Sequence, residues 1–214
     1  EYEGAGEYPS FVGWDCERIR EELRDADHVV GISVWCQTGG WHRFRRLAFL
    51  EPEALWIELN AAVILGVMRD GRNAGSLVEE FFGRARAPAV LELLRGAERV
   101  VREILYIPEF AERPLYFRRV RIPPLVHVYW DCLFFHAPVR EILRGLVRDP
   151  GNAIRVGEAA FAEFDRMEAM AVEAGLPAGD IRFMRDTFEL ILLARRYYFT
   201  PFTEEMAERV KAAK

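Results

Sequence analysis

The clearest pattern in the chain is an almost unbroken apolar stretch over residues 28–35. Asp27 precedes it and Gly39 and Gly40 follow it. A run of that length suits a parallel strand covered on both faces. Upstream, residues 15–24 carry the charged pattern of a surface helix that ends near Asp25. Downstream, Pro52 sits where a first helical turn tolerates proline. Residues 53–69 are apolar on most faces, the mark of a buried helix, and Asp70-Gly71 stops it. A charged helix, a buried strand and a buried helix read together as part of a βα repeat, with helix 53–69 packed directly on strand 28–35.

Beyond residue 74 the strand pattern gives way to helical stripes. Ser76-x-x-Glu79 reads as a capping box for a short helix to Phe82. Pro88 opens a longer one, with Leu91, Leu94, Val101 and Leu105 on one stripe. Residues 113–126 read as irregular, because Pro114, Pro123 and Pro124 forbid a regular element there. Pro138 opens a helix through Val147. Residues 152–174 read as one amphipathic helix through Ile154, Phe161, Phe164 and Ala171, with Gly175 as its stop. Asp180 caps the next helix, to about Tyr198, and Thr203 caps the last. The expected fold class is therefore α/β followed by all-α. Residues 1–72 are assigned to the C-terminal βα units of a (β/α)8 barrel, and residues 73–214 to a mostly helical C-terminal domain.

Composition narrows the partners. The chain has 214 residues and a net charge of −5, which argues against a nucleic-acid binder because phosphate neutralisation needs a basic surface. No apolar run approaches the roughly 20 residues that span a bilayer. Cys16, Cys36 and Cys132 are widely spaced and match no disulfide framework or metal motif, which suits a reducing compartment. The expected location is cytoplasmic. A leader would be invisible here, because the chain opens at Glu1 without an initiator Met and reads as the C-terminal part of a longer protein.

Barrels of this kind place their chemistry at the C-terminal ends of strands. On that reading Trp35, Cys36 and Gln37 face the mouth, and the loop carrying Trp41 and His42 lies above it. Trp35 and Trp41 offer flat apolar faces for a sugar ring, while Gln37 and His42 can bond hydroxyls or a carboxylate. The competing reading makes both tryptophans core or loop anchors. Glu1, Glu3 and Glu7 cluster around Gly4 and Gly6. Paired carboxylates can act as acid and base on a glycoside, although acidic loop residues are more commonly just solvated. His127, Asp131, Cys132 and His136 have no recognised ligand spacing, so no metal and no cofactor is expected. The basic and aromatic patch from Tyr116 to Arg121 reads as an extended connector with its arginines in water.

Three segments carry a family resemblance. Glu1-Tyr2-Glu3-Gly4 resembles the E-Y-x-G segment at a barrel strand end in the α-glucuronidases of glycoside hydrolase family 67. The stretch from Gly31 to Trp41 is similar to that family's strand and Trp-ended loop. Residues 58–70 are similar to its Q-A-N-W-Y-x-F-G-R-L-A-W-[DN] helix, although Glu58-Leu59 stand for Q-A, Ala61-Ala62 for W-Y and Arg69 for the tryptophan. The resemblance implies a barrel followed by a helical domain, with Glu1 as the general base of an inverting mechanism and the general acid on an earlier strand. It thus implies a glycoside hydrolase portion, incomplete alone, whose partners are a carbohydrate substrate and the upstream part of the same polypeptide. The alternative is a non-catalytic helical interaction or dimerisation module, forming a homodimer through the helical domain. Exposed apolar surface at Leu133-Phe134-Phe135 or Tyr197-Tyr198-Phe199 would favour it.

Overall fold

The computed structural model describes residues 9–26, 28, 55–105, 116–117, 120–121, 145 and 147–199, and every structural statement below concerns these. Their order is α1 (Gly13–Glu22), α2 (Leu55–Met68), α3 (Ala74–Phe82), α4 (Ala87–Val100), a π-helical segment (Val101–Leu105), β1 (Tyr116–Phe117), β2 (Val120–Arg121), α5 (Pro150–Phe161), α6 (Glu163–Glu173) and α7 (Ala178–Phe199). The chain divides into two units, Glu1–Arg99 with Ala162–Asp186, and Val100–Phe161 with Thr187–Lys214.

In the first unit, α1, α2 and α3 pack on one another. Buried Asn60 on α2 ties the start of α1 down. Its Oδ1 accepts from the Val12 N–H at 3.0 Å, and its Nδ2 donates to the Ser10 carbonyl at 3.0 Å and to the Trp56 carbonyl at 2.9 Å. Glu17 on α1 caps α3, accepting from the Ala74 N–H at 2.7 Å and the Asn73 amide at 3.0 Å. Arg20 on α1 donates to the Val67 carbonyl near the end of α2 at 3.1 Å, where a cation also suits the helix dipole. Gly66 lets α3 come close, since a Cβ there would lie 2.6 Å from a Leu77 methyl. Trp56, Leu59, Val63 and Val67 form the buried face of α2.

The same unit holds α4 and α6. The buried stripe of α4 runs through Ala87, Val90, Leu94 and Ala97, with Leu93 beside it, while Leu91 is only half-buried. Gly96 faces Met167 of α6, where a Cβ would stand 2.8 Å from its Cγ. Arg99 pairs with Glu163 at 2.6 Å, and Arg166 pairs with Glu92. Helix α6 ends in a Schellman motif. The Leu176 N–H reaches the Ala171 carbonyl at 2.8 Å, and the Gly175 N–H the Val172 carbonyl at 3.1 Å. Gly175 takes φ +61°, which only glycine adopts without penalty. The first turn of α7 is held by Asp180, whose Oδ2 accepts from the Trp56 Nε1–H at 3.0 Å.

These observations overturn the α/β barrel expectation. Around α2, where the sequence pattern suggested a sheet, the described neighbours are helices α1 and α3. The extended pairing among the described residues is two residues against two, Tyr116 opposite Arg121 and Phe117 opposite Val120, antiparallel. Parallel βα units cannot be built from it. The physical reason for the misreading is plain: an apolar helix announces burial but not what buries it. Even the burial is partial, because Ala61, Ala62 and Leu65 on α2 are exposed. The expected strand 28–35 lies outside the described residues except for His28, which is in a turn.

Smaller differences have local causes. The cap of α3 is Asn73, whose side chain accepts from the Ser76 N–H at 3.1 Å, so Ser76 is the third helical residue and not the cap. The expectation of no regular element over 113–126 is corrected by the β1–β2 pair, which fits between Pro114 and Pro123 without including a proline. The helix expected over 152–174 is two, with a break at Ala162 that nothing in the local sequence explains. The helices expected from Pro138 and from Thr203 lie outside the described residues, apart from Gly145 and Val147.

Candidate functional site

The second unit contains the most unusual side chain among the described residues. Along the part of α7 that belongs to this unit, from Thr187 to Phe199, the buried positions among the described side chains are Phe188, Ile191, Leu192, Arg195 and Phe199. Their spacing is that of one inner helix face. Four are apolar, and the fifth is a guanidinium with 1% of its surface exposed. Arg195 is always charged, so its burial requires polar partners. Nη1 donates to the Glu103 carbonyl at 2.9 Å and to the Ala153 carbonyl at 2.8 Å, and Nη2 donates to the Ile104 carbonyl.

The partners explain the seat. Glu103 and Ile104 lie in the π segment Val101–Leu105, and their carbonyls face the guanidinium. Hydrogen bonds from a charged donor to carbonyls are stronger than neutral ones, which offsets the cost of burying the cation. Ala153 belongs to α5, so one planar fork ties α5 and α7 to the end of the π segment. The sequence makes room on α5 with Gly157. A Cβ there would lie 2.7 Å from Nη1 of Arg195 and 2.7 Å from a Leu192 methyl.

The outer face of α7 differs in kind. Glu189, Leu190, Leu193 and Arg196 are exposed, with Leu190 at 47% and Leu193 at 51%. Two leucines one turn apart are thus presented to solvent beside charged neighbours. Arg196 is anchored along this face by Glu158 of α5, at 2.8 Å from Nε and 2.6 Å from Nη2. On this side α7, tied from behind by Arg195, presents an apolar pair with an acidic side chain before it and a basic one after it.

The site residues expected from the sequence, Glu1, Trp35, Gln37, Trp41 and His42, all lie outside the described residues, as do Leu133, Phe134 and Phe135. Phe199 is buried and so adds nothing to an exposed patch. Among the described residues no group of three or more His, Cys, Asp or Glu is placed to hold a metal ion. None of the described helices is long and apolar enough to cross a membrane. Elsewhere, burial pushes the Cys16 thiol pKa up, with Asp15 and Glu17 adding to the effect. On the surface, the Arg69 guanidinium hydrogen-bonded to Asp70 holds that carboxyl below its ordinary range.

Sequence reasoning missed Leu190, Leu193, Arg195 and Gly157. One signal was present: residues 190–193 are four consecutive apolar residues, and four in a row cannot share one side of a helix. Arg195 and Gly157 had no comparable signal, because their relation appears only when α5 meets α7. No family profile matches the chain, and neither a curated protein nor a solved structure does. The likeness to the α-glucuronidases, and the glycoside hydrolase and barrel assignments drawn from it, are corrected by the helical structure described above.

Proposed function

We propose that this chain is a non-catalytic helical module that works by protein–protein contact through the outer face of α7. The observation that carries this reading is the half-exposed pair Leu190 and Leu193 on a helix whose inner face is fixed by Phe188, Leu192 and Arg195. Isolated surface leucines need no explanation. Two on adjacent turns of a braced helix form the kind of apolar anchor that helical recognition uses. Rigidity adds to it, since little ordering entropy remains to be lost on binding.

The test is site-specific photo-crosslinking in the source cell. A photoreactive residue replaces Leu193 in one variant and the exposed Glu173 of α6 in another. The module reading expects a discrete adduct from position 193, identified by mass spectrometry, and none from position 173. No adduct from position 193, or equal labelling from both, would refute it.

A further inference from the structure

The charge order along the outer face of α7 is self-complementary. Over residues 189–196 it runs, toward the C-terminus, acid, leucine, leucine, base: Glu189, Leu190, Leu193, Arg196, while exposed Arg182 and Asp186 continue the same face toward the N-terminus. A helix turns about 100° per residue, so Glu189 and Arg196, seven positions apart, lie along the same edge. Leu193 sits toward the middle of the face and Leu190 toward the other edge. From this we infer that the partner of α7 is a second copy of the same helix, packed antiparallel across a two-fold axis. The inference rests on the module reading and names its partner.

The two-fold sets the register. With the axis between positions 190 and 193, Leu190 of each copy meets Leu193 of the other. That operation keeps each edge of the face on its own side. Glu189 of one copy then approaches Arg196 of the other on both sides of the axis. A parallel pairing, whose two-fold runs along the helices, instead carries the charged edges to opposite sides of the seam, so that Glu189 and Arg196 find no opposite charge across it. Arg196 remains beside Glu158 of its own chain. This holds the guanidinium at the rim of the face. Two-fold pairing of one patch with itself is the commonest form of self-association.

The face is short. Its apolar centre is two half-exposed leucines per copy, which places the interface at the small, transient end of the range, below about 1,200 Å². Association is therefore weak and sensitive to single substitutions at the centre.

The experiment uses the full chain in two parts. Sedimentation velocity from about 5 µM to about 500 µM covers the affinities expected of such an interface. The weight-average mass should rise toward that of a dimer for the unmodified chain. Leu193→Arg should weaken association by about ten-fold or more, as expected for truncating or charging a central anchor. Circular dichroism of that variant should be unchanged, because the residue is exposed. For orientation, Leu190→Cys and Leu193→Cys are made separately, with Cys36 and Cys132 replaced by serine, then mixed and oxidised. Antiparallel pairing expects the mixed 190–193 disulfide to exceed both self-disulfides. A chain that stays monomeric throughout overturns the inference, as does a preference for 190–190 and 193–193 bridges. Monomeric behaviour combined with a position-193 adduct to a different protein overturns self-association while leaving the module reading standing. Monomeric behaviour with no adduct removes both.

Discussion

Gly157→Ala tests whether Arg195 is seated as described, because two effects of opposite sign compete there. Alanine is favoured over glycine inside a helix by about 1 kcal/mol, so on an open face of α5 the substitution would stabilise. At this position the new Cβ lies 2.7 Å from Arg195 Nη1 and 2.7 Å from a Leu192 methyl, well inside the roughly 3.5–4.0 Å of an ordinary contact between carbon atoms. The leucine methyl is the end of a flexible side chain and can give. Nη1 cannot give without releasing the Glu103 and Ala153 carbonyls, which it holds at 2.9 and 2.8 Å. A hydrogen bond involving a charged group is worth about 1.5–3 kcal/mol. The clash therefore outweighs the propensity gain, and Gly157→Ala should destabilise by about 1–3 kcal/mol, the usual range for overpacking. Arg195→Ala should itself cost about 3 kcal/mol, because it removes a charged donor from three carbonyls and opens a cavity in the core. In that background the clash partner is gone, and Gly157→Ala should become neutral or slightly stabilising. Urea denaturation of the four proteins gives the double-mutant cycle, with an expected coupling of about 1–3 kcal/mol. A neutral or stabilising Gly157→Ala in the unmodified chain would show that the guanidinium is not held against α5.

Two further outcomes follow from the first unit. Asn60→Leu keeps the branched shape but removes the acceptor for the Val12 N–H and the donor to the Ser10 carbonyl. It should cost about 1–3 kcal/mol in urea denaturation, and the Val12 amide should lose hydrogen-exchange protection; unchanged protection would mean that α1 does not hang on Asn60. Cys16, buried with its pKa raised by burial above the ordinary 9.0, should resist alkylation at neutral pH, as site-resolved mass spectrometry would show. The unfolded thiol ionises first, so this contribution to stability is complete below the ordinary value and is lost as pH rises through the folded value. Cys16→Ala should therefore flatten the fall in stability above about pH 9, and an identical alkaline fall in both proteins would refute it.

How much was legible in the sequence depends on which contacts are local. The end of helix α2 was readable within one residue because the apolar run 61–68 closes on Asp70-Gly71. The stop at Gly175 was readable because a left-handed residue after an amphipathic stretch favours glycine. What buries α2 was not readable. The answer lies in Asn60, Glu17 and Arg20, polar residues whose partners are 47 to 57 positions away in the chain. The cap of α3 was misplaced because Asn73 and Ser76 are both good capping residues and only the geometry chooses between them. At the candidate site, Arg195-Arg196 looks like a charged tail to α7. Only the helical phase separates the two, turning Arg195 into the core and Arg196 out to Glu158. The family resemblance failed for a related reason, since short matched segments constrain composition and spacing but not which elements become neighbours.

Every reading above depends on helices packing directly on helices where the sequence pattern had suggested a sheet. The most direct measurement is a nuclear Overhauser contact between the Leu77 methyls and the Gly66 α-protons, in a sample with selectively labelled leucine methyls. The described packing brings a Leu77 methyl to 2.6 Å from where a Gly66 Cβ would stand, so a strong cross-peak is expected. In a βα arrangement a strand would cover that face of α2 and hold α3 away. Absence of the cross-peak, with Gly66 contacting β-strand residues instead, would contradict the helical architecture and the module built on it.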